Sequence, residues 1–153
     1  VEQVVGKVNV VVDDEPSVGL DDLSRFDAMQ DAQEAGLDVD IRGPDNKKLG
    51  FSIKISGPDS LRQRRVIEKI AAERMNSDDP TPLTPQELFD RQTRGLAGAT
   101  ISWTPFNLDG EKYVCSEENA YKLYNRFPFI RDQVAERAGR RSAFFESSSS
   151  DAG

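Results

Sequence analysis

The sequence predicts an α+β domain: a β-hairpin at about residues 37–56 packed by about four helices, with an additional N-terminal strand and short helix. Three observations predict it. Apolar and polar residues alternate from Leu37 to Ile41 and again from Leu49 to Ile55, on either side of the turn-forming Gly43-Pro44-Asp45-Asn46. After residue 57 the apolar residues recur at helical spacing behind recognisable start signals. The 153 residues, 37% of them apolar, have room for one core of ordinary size.

Val4, Val5, Val8, Val10, Val11 and Val12 form a β-branched run closed by Asp13-Asp14-Glu15-Pro16, which reads as a strand. Through Val8, Val10 and Val12 it can complete its own sheet or add to the edge of another subunit's, and the residues leave both open. Leu20, Leu23, Phe26 and Met29 recur every three residues, as in a short amphipathic helix ending near Gly36. Its leading aspartates complement the helix dipole.

A two-stranded hairpin is marginal in water, so its apolar face needs a cover. After Gly57-Pro58, Asp59 is placed to cap a helix whose Leu61, Val66, Ile67, Ile70, Ala71 and Met75 face one way. Arg62, Arg65 and Lys69 lie on the other side, interleaved with Glu68 and Glu73. Asn76 to Pro82 reads as a linker. Thr84-Pro85-Gln86-Glu87 restarts a helix with a capping threonine, proline in the first position and glutamate three residues on. Leu88, Phe89 and Leu96 are its expected buried stripe, and Gly95, Ala97, Gly98 and Ala99 permit close approach of a neighbour. Thr100, Ile101 and Trp103 suit either a continued helix or a strand.

Asp109-Gly110 predicts a tight turn before Tyr113-Val114-Cys115. Ser116 caps a helix opening with Glu117 and Glu118, in which Ala120, Leu123, Tyr124 and Phe127 share a face. Pro128 begins another, with Phe129, Ile130, Val134 and Ala138 apolar as far as Gly139. Phe144-Phe145 is a last apolar pair before the serines. The expected divisions are a partly mobile acidic arm (1–36), an α+β domain (37–145) and a disordered tail (146–153).

The residue types restrict the chemistry. There is no histidine and one cysteine, Cys115, which removes histidine-based catalysis, histidine-ligated metals and internal disulfides from this chain. Phosphate-loop, dinucleotide-binding, Gly-x-Ser-x-Gly and calcium-loop patterns are all missing. Asp38 and Asp40 share the polar side of a strand and together could hold a divalent ion, but alternation places acids this way by default. No catalytic residue, metal or cofactor is expected, and the chain does not read as an enzyme.

Residues 1–40 hold 11 acids against Lys7 and Arg25, whereas residues 41–150 hold 15 acids against 18 Lys and Arg; the whole chain carries −7. Such an arm docks on a basic partner or serves as a solvated segment. Acids interrupt the basic clusters Arg62-Gln63-Arg64-Arg65 and Arg137/Arg140-Arg141, so nucleic acid is not an expected partner. No run approaches the roughly 18 to 20 apolar residues of a membrane helix, and the start lacks signal-peptide character, so a soluble intracellular protein is expected.

The order of segments is distinctive: a hairpin ending in Ile53-Lys54-Ile55-Ser56-Gly57-Pro58-Asp59-Ser60, the basic helix Arg62-Gln63-Arg64-Arg65, a small-residue helix end running to Trp103, then Phe127-Pro128-Phe129-Ile130-Arg131-Asp132-Gln133-Val134 and Phe144-Phe145. Over residues 37–145 this resembles the tail assembly chaperone family of long-tailed bacteriophages; the valine strand and acidic start lie outside the resemblance. It implies a non-enzymatic, transient role in the cytoplasm of the infected bacterial host: holding the tape-measure protein soluble while recruiting tail-tube protein. Helix-in-groove contacts, multiplied over several copies, suit such a client. The residues expected to meet it are Phe127, Phe129, Ile130, Phe144 and Phe145, with Arg62, Arg65 and Lys69 as a charged rim. Self-association is also expected. The alternative is a structural virion protein, a tail, connector or capsid-decorating subunit, assembling with neighbouring virion subunits through its N-terminal strand.

Overall fold

The computed structural model describes Gly19 and residues 21–152, with backbone alone from residue 147 onward. The expected strand at residues 4–12, with Val8, Val10 and Val12, lies outside the described residues. The fold is α+β.

A 3-10 turn, Leu23–Phe26, leads into α1 (Asp27–Ala35); Asp22 starts the turn by accepting from the Ser24 N–H at 3.0 Å. The helix stops at Gly36, whose φ of +99° suits glycine and whose missing Cβ leaves room for Ile101 and Lys54. The predicted hairpin follows as β1 (Leu37–Arg42) and β2 (Lys48–Ile55), antiparallel with Leu37 opposite Ile55 and Val39 opposite Ile53. Its period of two puts Val39, Ile41, Ile53 and Ile55 in the core, while Asp38, Asp40 and Arg42 face water.

Next come α2 (Leu61–Asn76) and α3 (Pro85–Ala99). The α3 start shows the full capping box: Thr84 Oγ1 accepts from the Glu87 N–H at 3.1 Å and Glu87 Oε1 from the Thr84 N–H at 2.8 Å. The α2 cap differs from expectation. Ser60 performs it, its Oγ accepting from the Gln63 N–H at 3.2 Å, because Asp59 is turned away to Arg141 and Gln33. The segment after α3 is a strand, β3 (Thr100–Trp103), which joins β2 to give the order β1-β2-β3. The Ser56 N–H and hydroxyl both donate to the Ala99 carbonyl, at 3.0 and 2.9 Å, and this ties off the helix where β-branched residues begin.

The two-residue strands β4 (Asn107–Leu108) and β5 (Glu111–Lys112) are joined by Asp109-Gly110, both at positive φ, as a primed hairpin turn requires. Trp103 packs beside this hairpin, its ring stacked on Tyr113 and its Nε1 donating to the Tyr113 carbonyl at 3.0 Å. The chain ends in α4 (Glu117–Arg126), α5 (Pro128–Ala138) and α6 (Arg141–Ala152). Ser116 caps α4 as expected, and Leu123, Tyr124, Ile130, Val134 and Phe144 complete the core over the sheet.

α6 extends to Ala152, with Ala143 and Phe144 of its first turn buried in the core. α1 packs on α6, and its Gln33 is fully buried against the Gly57–Asp59 turn. The apolar residues of α2 and α3 do not all face inward: Leu61, Ile67, Met75, Leu88 and Phe89 are exposed. The two helices instead meet through Val66 and Gly98, where an added Cβ would stand 2.3 Å from a Val66 methyl.

Candidate functional site

Because α2 and α3 touch through small residues, their outward apolar side chains are left lining a groove whose third wall is α5. The groove encloses about 570 Å³. Gln63, Ile67, Ile70 and Ala71 line it from α2, Phe89, Gln92, Gly95, Leu96 and Ala99 from α3, and Arg131, Ala135 and Ala138 from α5, with Gly139 just beyond its end. Its bed is apolar and its side open to water: Ile70 and Leu96 are buried, whereas Ile67 is 59% and Phe89 46% exposed.

Local chemistry holds the walls. The Arg131 guanidinium lies 4.1 Å from the Phe89 ring centroid, a cation–π contact joining α5 to α3, and its Nε donates to Asp132 at 3.1 Å. Gln63 bridges α2 to the chain elsewhere, donating through Nε2 to the Ser56 carbonyl at 2.7 Å and the Ala138 carbonyl at 3.2 Å. Gly95 has a different role from the one expected. No atom lies within 4 Å of a Cβ built on it, so it serves no close approach and instead leaves open space on the α3 wall.

Beside this groove, on the side of α4, Lys69, Asp90, Arg94, Glu117, Glu118 and Tyr121 line a second depression. Several of its charged groups are engaged: Arg94 meets Glu73 outside it at 2.7 Å, Glu118 meets Lys122 outside it at 3.2 Å, and within it the Tyr121 hydroxyl bonds to Asp90. That bond to Asp90 pushes the Tyr121 phenol above its ordinary range. Half-burial pushes the Cys115 thiol up as well, so it stays protonated at neutral pH and lacks the character of an activated nucleophile. Among the described residues, no group of three or more His, Cys, Asp or Glu could hold a metal ion. No described helix is long and apolar enough to cross a membrane.

The expected contact residues do not form one surface. Phe144 and Ile130 are buried in the core, and Phe127 and Phe129 are half-buried against it. Phe145 is exposed, with its ring 6.4 Å from Phe26. Arg62, Arg65 and Lys69 are exposed on α2, but none lines the groove; Lys69 borders the second depression. Among the residues that do line the groove, Ile67 and Phe89 carried signals of an inward apolar face, Gly95 one of close approach, and Arg131 none beyond its place in the Phe127–Val134 segment. Too many apolar residues lay around α2 and α3 for one buried stripe, which was the available hint. No family model matches this chain, and no curated protein or solved structure shows significant similarity to it.

Proposed function

We propose that this chain is a non-enzymatic binding protein of the phage tail assembly chaperone kind, which takes an amphipathic helix of the tape-measure protein into the α2–α3–α5 groove and helps recruit tail-tube protein in the cytoplasm of the infected host. The observation that carries the reading is the groove: an apolar bed with Ile67 and Phe89 left in water, flanked by helices. A helix laid into such a groove would cover Ile67 and Phe89 and bury its own apolar stripe without demanding chemistry from the wall. A long tape-measure helix offers such stripes repeatedly, so weak contacts at each copy sum to useful avidity.

Gly95→Leu tests this cleanly. Leucine fits α3 better than glycine by roughly 1 kcal/mol of helix propensity, and its side chain grows into the empty groove. On co-expression, the wild-type chain is expected to keep tape-measure protein soluble, whereas the Gly95→Leu variant, folded and no less stable, is expected to lose that effect. Equal activity of the two would sink the groove as the client site. Recovery of the chain at fixed copy number from purified particles would sink the transient role.

A further inference from the structure

The groove carries a charge sign opposite to that of the protein around it. The chain has a net charge of −7, yet the charged residues lining the groove are two arginines, Arg91 and Arg131, and one acid, Asp132. Asp132 is already engaged by Arg131. Arg91 reaches toward α2, its Nη1 3.5 Å from the Ile70 carbonyl, while Arg131 comes from α5 and covers Phe89. A cation therefore borders the apolar bed on each side of α3. Glu136, one turn beyond Asp132 on α5, points its charge at Arg140, 2.9 Å away, and so does little to offset them.

Resting on the reading of the groove as the client site, we infer that it selects by charge: it accepts an amphipathic helix whose apolar stripe is bordered by aspartate or glutamate and disfavours one bordered by lysine or arginine. The apolar bed supplies most of the attraction and is blind to charge. Arg131 and Asp132 neutralise each other, so Arg91 supplies the discrimination: a flanking carboxylate lands beside its guanidinium, whereas a flanking ammonium meets like charge. Arginine is suited to this position because it stays charged at any working pH; Arg131, stacked on Phe89, spends its Nε and one Nη on Asp132, whereas the hydrogen bond that Arg91 makes is the long contact to the Ile70 carbonyl.

The test uses the full chain and two fluorescein-labelled amphipathic peptides with the same Leu/Phe stripe, one flanked by Glu and the other by Lys, read by fluorescence anisotropy. The Glu-flanked peptide is expected to bind about fivefold to tenfold more tightly at low salt, from attraction at Arg91 for one peptide and repulsion for the other, with the gap closing near 0.5 M salt. Arg91→Glu is expected to remove or reverse the preference while the circular dichroism spectrum and thermal midpoint stay close to wild type. Equal binding of both peptides, or a preference for the Lys-flanked one, overturns the charge selection alone and leaves the groove as a client site. Binding of neither peptide overturns both, as does binding that Gly95→Leu leaves unchanged.

Discussion

The side-chain amide of Gln133 pairs with the backbone of Arg42 as a neighbouring strand would. The Arg42 N–H donates to Gln133 Oε1 at 2.8 Å, and Gln133 Nε2 donates back to the Arg42 carbonyl at 2.8 Å. A further bond from Nε2 to the Phe129 carbonyl, at 3.0 Å, fixes which way the amide faces. Among the described residues β1 is an edge strand of the sheet, and outward N–H and C=O groups on such an edge are a template for pairing with another strand. One glutamine on α5 thus occupies the end of that edge and docks the helix to the sheet.

Gln133→Leu keeps the volume but loses both bonds. The expected loss is about 1 kcal/mol, since water reaches the exposed Arg42 backbone and replaces part of what is lost. A lowered urea midpoint with an unchanged slope checks the stability. Light scattering against concentration checks whether the freed edge promotes self-association. A midpoint equal to wild type would show that the amide is not holding α5 to the sheet.

Gly98 and Val66 set the distance between α2 and α3. With the Cβ of an alanine at 98 only 2.3 Å from a Val66 methyl, Gly98→Ala is expected to cost about 1–3 kcal/mol, despite the better helix propensity of alanine. Val66→Ala in the same chain makes room and should recover part of that loss, so the two substitutions are strongly non-additive in a double-mutant cycle. Additive losses would mean the helices are not packed through this pair.

Asp59 receives two hydrogen bonds from Arg141, from Nε and Nη2, each at 2.6 Å, and one from Gln33 at 3.1 Å. Those from Arg141 are the main cause of a carboxyl held below its usual range; partial burial opposes them and Gln33 assists. The sign follows by linkage. A carboxyl more acidic in the folded state than in the unfolded chain, where it titrates near 3.9, stabilises fully above that value and loses its contribution as pH falls through the folded value. Asp59→Asn, neutral throughout, is therefore expected to be less stable than wild type at pH 7, with the two urea midpoints converging in acid. A gap that persists undiminished down to about pH 2 would assign the effect to shape rather than charge.

Where a signal lies within one turn of chain, the sequence reports it directly. Thr84 and Glu87 are three residues apart and cap each other wherever the rest of the protein lies; Asp109-Gly110 takes positive φ because its own side chains allow it. The site was less legible. Ile67 and Phe89 are good core residues by type, and only the close contact of Gly98 with Val66, 32 residues away in sequence, decides that α2 and α3 turn them outward. Adjacent Phe144 and Phe145 are chemically identical, yet the first is fully buried and the second exposed, a choice made by the angle at which α6 meets the sheet and α1.

By itself the sequence determined the α+β class, the hairpin with its buried face, the caps, and the lack of histidine for any imidazole chemistry, because each depends on residue type or on spacing within a few positions. Tertiary structure alone decided that Thr100–Trp103 becomes the third strand, that α1 belongs to the folded unit through Gln33, and that a groove opens between α2, α3 and α5. These depend on which of several apolar faces finds a partner, and burial rewards any adequate partner without regard to its place in the chain.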